Sequence, residues 1–297
     1  MSAWLPSAPC TPRLCAQHRG PASAVPRTLA RLLAGITLVV AGVLLCPAVR
    51  RLPAARRDRL VRAWAGAVVR AFGVRTRVLG HPAKQAGTGM LVVANHISWL
   101  DIPLIAAVQP GRMLAKSEIG RWPLLGPVAA RGGTLFVERD RLRALPATVA
   151  RMAGALRAGS RVVVFPEGST WCGRQQGRFR PAAFQAALDA GVPVQPVRIS
   201  YRLAGGGPAT AAAFVGDDPL PASLWRVAAA GGLVAEITLL PRIPAGRHPD
   251  RRALARAAQT AVAQTAVASD SANLPASSVH HWVSASPAPA SSARTPS

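Results

Sequence analysis

The sequence predicts an α/β protein: a single domain with a mainly parallel sheet flanked by helices, preceded by a membrane-anchoring helix. Three observations lead there. From Val74 onward, short apolar runs alternate with stretches of helical periodicity, the pattern of strands joined by crossover helices. Polar, chemistry-bearing residues come directly after several of those runs, which is where ligands bind in open α/β sheets. Leu32 to Val49 carries no charge and is bracketed by Arg31 and Arg50-Arg51.

Residues 1–27 are basic and punctuated by Pro6, Pro9, Pro12, Pro21 and Pro26, and read as a disordered leader. The apolar run comes next, within a membrane-inserted helix over 28–50. As a helix, Leu32–Val49 is about 27 Å long against a hydrocarbon core of roughly 30 Å. A cleaved signal peptide fits poorly, because the leader is long and no small-x-small site comes after it. Arg50, Arg51, Arg56, Arg57, Arg59 and Arg62 outnumber the arginines before the run, so the positive-inside rule puts the bulk of the protein in the cytoplasm. Leu60 to Phe72 has apolar residues at helical spacing. Strands are expected at Leu91–Ala94, Thr134–Val137, Arg161–Phe165, Val194–Ser200 and Val234–Leu240. Helices are expected at Leu142–Ala158, at Pro181–Ala190 with proline in the first turn, and at Arg251–Val267 within a C-terminal helical segment, 246–268. Gly205–Gly207 and Pro208 make a turn-rich break. Residues 269–297, rich in Ser, Ala and Pro, read as a disordered tail.

The charge is lopsided, with 36 basic residues against 12 acidic and a formal net charge of +24. Nucleic acid is one partner such a charge suggests. The basic residues are nearly all arginine, with Lys84 and Lys116 the only lysines, which fits a coding-composition bias; no nucleic-acid motif or stacking pattern accompanies them. An anionic membrane surface fits better, and no nucleic acid is expected. Cys10 and Cys15 lack partners at zinc spacing, and with Cys46 and Cys172 they do not form a disulfide framework, so no metal site and a reducing compartment are expected.

The chemistry collects after three strands. His96 comes after Leu91–Ala94 and is trailed by Asp101 five positions on. Histidine exchanges a proton near neutral pH, and a carboxylate orients it as a base. On one straight helix the two side chains diverge by about 140°, so they meet only if His96 precedes a helix that starts near Ser98. The bland alternative is a weak capping box beside a surface histidine. Phe165-Pro166-Glu167-Gly168 is sharper: proline stops the strand, glycine admits close backbone approach, and Glu167 is one of four glutamates in the chain. Its bland alternative is an ion pair, for example with Arg139. Lys116, Arg139, Arg174, Arg178 and Arg180 are candidate anion contacts.

These residues resemble the glycerophospholipid acyltransferases, the family of 1-acylglycerol-3-phosphate acyltransferases, over roughly residues 60 to 240. Asn95-His96-x-Ser98-x-x-Asp101 is similar to the family's first block, Gly133-x-x-Phe136-x-x-Arg139 to the second, Phe165-Pro166-Glu167-Gly168 to the third and Val192–Val197 to the fourth. The resemblance implies an acyltransferase catalytic domain over 51–245 and direct transfer from acyl-CoA or acyl carrier protein to the sn-2 hydroxyl of lysophosphatidic acid, giving phosphatidic acid. It makes His96 the general base and Asp101 its orienting carboxylate. Lys116, Arg139, Glu167, Gly168 and Ser169 become acceptor-binding residues, with no metal or redox cofactor. Partners are then the thioester donor, a lysophospholipid acceptor and an anionic cell membrane. Two departures concern the acceptor: the third block continues Ser169-Thr170-Trp171 where Thr-Arg is usual, and Glu138 stands where Asp is common. The Ser-Thr form is similar to relatives that acylate lyso-ornithine lipid, whose acceptor has no phosphate. A different class, a basic membrane- or nucleic-acid-binding protein with a degenerate site, predicts activity independent of His96. A serine hydrolase lacks its Gly-x-Ser-x-Gly elbow.

Overall fold

The structure, a computed structural model, describes residues 8–80, 89–121, 125–138 and 141–271. In chain order the elements are α1 (Pro12–Cys15), α2 (Val25–Arg50), α3 (Ala54–Ala71), β1 (Arg75–Leu79), β2 (Met90–Ala94), α4 (Asp101–Val108), β3 (Arg112–Lys116), α5 (Leu125–Arg131), β4 (Leu135–Val137), α6 (Leu145–Arg157), β5 (Arg161–Val164), α7 (Ala182–Ala190), β6 (Val194–Leu203), α8 (Leu220–Ala229), β7 (Leu233–Leu239) and α9 (Arg251–Ser271). Among the described residues seven strands form one sheet in the order β1-β7-β6-β2-β5-β3-β4. The run from β6 to β4 is parallel; β7 is antiparallel to β6, and β1 is parallel to β7. The expected mainly parallel α/β sheet flanked by helices is the fold observed.

Strand β2 lies at the centre and is buried along its whole length. Its side chains alternate between two cores. Met90, Val92 and Ala94 join the cluster that holds α3, α4 and β7 residues; Leu91 and Val93 join the cluster built from α6, α7 and α9. A central parallel strand covered on both faces reads as an unbroken apolar run for this reason. Each fully buried Val or Leu contributes roughly 1.5–3 kcal/mol, so β2 is a stiff platform for the turn at its carboxyl end.

The structure corrects several expectations. Strands β1 and β3 and helices α5 and α8 are additional to those read from the sequence. β1 is an edge strand whose Arg75, Thr76, Arg77 and Val78 face solvent, so it lacks the periodic burial that marks a strand. Its pairing rests on β7, where Glu236 sits between Arg77 and Arg202 at 3.2 and 3.1 Å. The disordered-leader reading fails for residues 8–24. Cys10 and Ala16 are buried, Ala22 forms a β-bridge with Ala230, and the Ser23 N–H donates to the Ala229 carbonyl at 2.8 Å. Proline and arginine content suggested disorder, but this segment satisfies its backbone on α8 and its flanking loops. Residues 25–27 of the expected leader open α2, and residues 1–7 and 272–297, which carry its start and nearly all of the tail, lie outside the described residues.

Helix α2 is the one described helix long and apolar enough to cross a membrane, with mean hydropathy 2.5 over its most apolar window. At 26 residues it is about 39 Å long. One side packs on α3, where Gly35 and Gly42 make room for the rings of Phe72 and Trp64, and the Trp64 indole N–H donates to the Leu38 carbonyl at 2.8 Å. The other side exposes Leu29, Leu33, Ile36, Leu44 and Leu45. Helix α9 belongs to the domain: Leu254, Ala255, Ala258 and Val262 complete the second core.

Candidate active site

His96 and Asp101 stand just past the carboxyl end of β2. Asn95 ends the strand by pairing with β6, its amide donating to the Ile199 carbonyl at 2.9 Å and accepting from the Ile199 N–H at 2.8 Å. The next residues leave the sheet in a tight turn. Asp101 opens α4, and its Oδ2 accepts the backbone N–H groups of Ile97 at 2.6 Å and Ser98 at 2.8 Å. The turn brings His96 Nδ1 to 2.9 Å from the same oxygen. The separation of 140° on a continuous helix is thereby avoided, because His96 precedes the helix and Asp101 starts it.

The Asp101 carboxylate is fully buried, and its other oxygen accepts the Tyr201 hydroxyl at 2.7 Å. Four donors, the Ile97 and Ser98 N–H groups, His96 Nδ1 and the Tyr201 hydroxyl, therefore converge on one buried carboxylate at the first residue of α4. Burial and the Asp101 charge push the Tyr201 phenol well above its ordinary range, so it stays a neutral donor. The His96 ring stacks on Phe165, centroids 3.9 Å apart and planes 14° from parallel, and keeps 19% of its surface exposed. With Nδ1 engaged by Asp101, the second ring nitrogen, Nε2, is the one left to act as a base.

Glu167, after β5, does not face an open acceptor pocket. It is buried, and each oxygen takes a backbone N–H: His96 at 2.7 Å and Gly177 at 3.0 Å. It therefore holds the histidine from behind. Two further bonds fasten the same turn, from Trp171 N–H to the His96 carbonyl at 2.8 Å and from Phe214 N–H to the Ile97 carbonyl at 2.9 Å. Gly168 takes a positive φ of 77°, which turns the chain after Glu167, and the buried Ser169 hydroxyl has no hydrogen-bond partner among the described residues. Lys116 lies exposed at the carboxyl end of β3, on the same edge of the sheet. Arg139 lies outside the described residues.

Burial outweighs the two N–H bonds and pushes the Glu167 carboxyl up to about 8 from an ordinary 4.5. The folded protein then holds a proton that the unfolded chain releases. This contribution to stability is complete below pH 4.5 and is lost as pH rises towards about 8. Glu167→Gln is expected to flatten that decline, measured as the free energy of unfolding in denaturant across this pH range. A slope identical to wild type would contradict the assignment.

Gly177 is needed for space. A Cβ there would meet the Trp171 indole, at 2.7 Å from its Cε2, and displace the ring or the N–H that serves Glu167. Gly177→Ala is expected to cost about 1–3 kcal/mol by overpacking and to lower activity through His96. Thermal unfolding and turnover, read together, check this.

Sequence reasoning missed Tyr201 and Gly177 as parts of the site, and gave Phe165 no role beyond opening the third block. Tyr201 had a signal, since it is the chain's single tyrosine and directly follows the run Val194–Ser200 read as a strand, where a buried phenol requires a partner. Cys10 and Cys15, which lack partners at zinc spacing in the sequence, acquire one in space. Cys172, from the loop beyond Trp171, joins them so that the three sulfur atoms lie within 4.8 Å of one another.

An acyltransferase family model matches residues 75–200, the stretch from β1 into β6. A lyso-ornithine lipid O-acyltransferase of Pseudomonas aeruginosa is 41% identical over 210 residues, covering 69% of this chain and 78% of that protein. A 1-acyl-sn-glycerol-3-phosphate acyltransferase of Neisseria gonorrhoeae is 35% identical over 198 residues, covering 67% and 77% respectively. The crystal structure of the 1-acyl-sn-glycerophosphate acyltransferase PlsC of Thermotoga maritima shares the fold, with a TM-score of 0.64 over 84% of this chain and 97% of that one at 19% identity. Identity of this level across more than three quarters of the relatives' length is family membership: the chain belongs to the glycerophospholipid acyltransferases.

Proposed function

We propose that the protein transfers a fatty acyl group from acyl-CoA or acyl carrier protein to the sn-2 hydroxyl of lysophosphatidic acid, producing phosphatidic acid at the cytoplasmic face of the cell membrane. The observation that carries this reading is the 2.9 Å contact between His96 Nδ1 and a carboxylate already saturated by backbone and tyrosine donors. Asp101 fixes the ring with Nδ1 protonated. Nε2 then takes the proton of the acceptor hydroxyl as its oxygen attacks the thioester carbonyl. Collapse of the tetrahedral intermediate breaks the carbon–sulfur bond, and the imidazolium returns the proton to the departing thiolate. Asp101 stabilises the imidazolium during that interval. Glu167 is a positioning residue that acts through the His96 backbone; Lys116, Arg139, Gly168 and Ser169 are assigned to the acceptor side.

The exposed side of α2 and the arginines after it supply the membrane contact, apolar area for the acyl region and positive charge for anionic headgroups. A second acceptor, lyso-ornithine lipid, is favoured by two observations: Ser169-Thr170-Trp171 lacks the arginine suited to a phosphate, and the 41% identical relative bears that name. The test is transfer of labelled acyl groups by membranes containing the protein, with both lysolipids and both donors in parallel. His96-dependent transfer to lysophosphatidic acid supports the first reading, and transfer confined to lyso-ornithine lipid supports the second. Transfer to neither acceptor with either donor would refute both.

A further inference from the structure

Cys10 precedes the single turn of α1 and Cys15 ends it, and Cys172 lies just past the loop that carries Glu167 and Trp171, more than 150 positions away in the chain. Their sulfur atoms lie within 4.8 Å of one another; Cys10 and Cys172 are buried and Cys15 is half-buried. Four ligated thiolates around a zinc ion stand about 3.8 Å apart, from a zinc–sulfur bond of about 2.3 Å and tetrahedral angles, so closing this group asks for about 1 Å of movement.

The group gathers three sulfurs from two segments distant in the chain, and Gly173, next to Cys172, turns the chain at a φ of 84°. The remaining cysteine, Cys46, lies on α2 and outside the group.

We propose that Cys10, Cys15 and Cys172 form a structural site for one thiophilic divalent cation of the Zn²⁺ class. Three thiolates bind the ion, a solvent or small-molecule ligand enters beside half-buried Cys15, and the thiol protons leave to solvent. Soft sulfur donors select such an ion over Mg²⁺ or Ca²⁺. The ion would tie the N-terminal segment to the loop whose Trp171 N–H holds the His96 carbonyl. It takes no part in acyl transfer, and the proposal stands apart from the choice of acceptor.

The test uses full-length, detergent-solubilised protein with its thiols reduced. Cd²⁺ titration is expected to raise one equivalent of thiolate-to-metal charge-transfer absorption, with affinity for Zn²⁺ at least about 100-fold weaker in Cys172→Ser and Cys15→Ser and unchanged in Cys46→Ser. Peptide mapping after alkylation of the wild-type protein does not depend on how the variants fold. Bound metal should protect Cys10, Cys15 and Cys172 and leave Cys46 labelled in the same way as in metal-free protein. Absence of the absorption band, labelling of all three cysteines in the presence of metal, or a disulfide joining Cys172 to Cys10 or Cys15 in freshly isolated protein would overturn the site.

Discussion

Replacing His96 with alanine is expected to lower acyl transfer by about 10²- to 10⁴-fold, the range over which a positioned general base contributes. The fold should survive. The ring is partly exposed and packs chiefly on Phe165, so its removal opens space towards solvent rather than a cavity in the core. Asp101 keeps three of its four donors, the Ile97 and Ser98 N–H groups and the Tyr201 hydroxyl. The measurement pairs turnover with thermal unfolding on the same preparation. Loss of rate with an unchanged midpoint isolates the base. Activity close to wild type would assign the proton to another group and dismantle the mechanism.

Asp101→Ala is expected to be worse on both axes. The carboxylate is fully buried, and its deletion leaves two backbone N–H groups and a tyrosine hydroxyl without acceptors. Each such orphan costs about 1–3 kcal/mol, and the costs overlap because the groups share one turn. A net loss on the order of 3–5 kcal/mol is a large part of a domain's stability. Asp101→Asn separates the two effects. Its amide oxygen still accepts from the turn and so retains most of the stability, whereas a neutral partner does not stabilise the imidazolium, and turnover falls as steeply as in His96→Ala. If Asp101→Asn were fully active, orientation alone would be the aspartate's role. Chemical denaturation and turnover measured side by side distinguish these outcomes.

The elements legible in the sequence share a physical property. Strands β2, β5, β6 and β7 and helices α6, α7 and α9 are each buried by their own periodicity, period two or an unbroken apolar run for strands and 3.6 for helices, so the pattern is local and visible without a partner. His96 and Asp101 are five positions apart, and their meeting depends on one helix start. Edge strand β1 has no such pattern, since its place depends on β7, more than 150 positions later, and on the charge of Glu236. Strand β3 joins an apolar Met-Leu-Ala to flanking charges and declares itself only through its pairing with β4 and β5.

The same division runs through the site. The amino-acid sequence by itself determined the class of fold, the central strands, the pairing of His96 with Asp101, and the apolar helix ahead of the domain, because each is written in residues that lie close together. The tertiary structure alone decided which way Glu167 faces, that Tyr201 reaches Asp101 across 100 positions, and that Cys172 joins Cys10 and Cys15. It also folded residues 8–24 onto the domain against the bias of their composition. Those contacts arise from strand order and loop closure. Their energy comes from burial and hydrogen bonds between segments distant in the chain, for which no local spacing carries a signal.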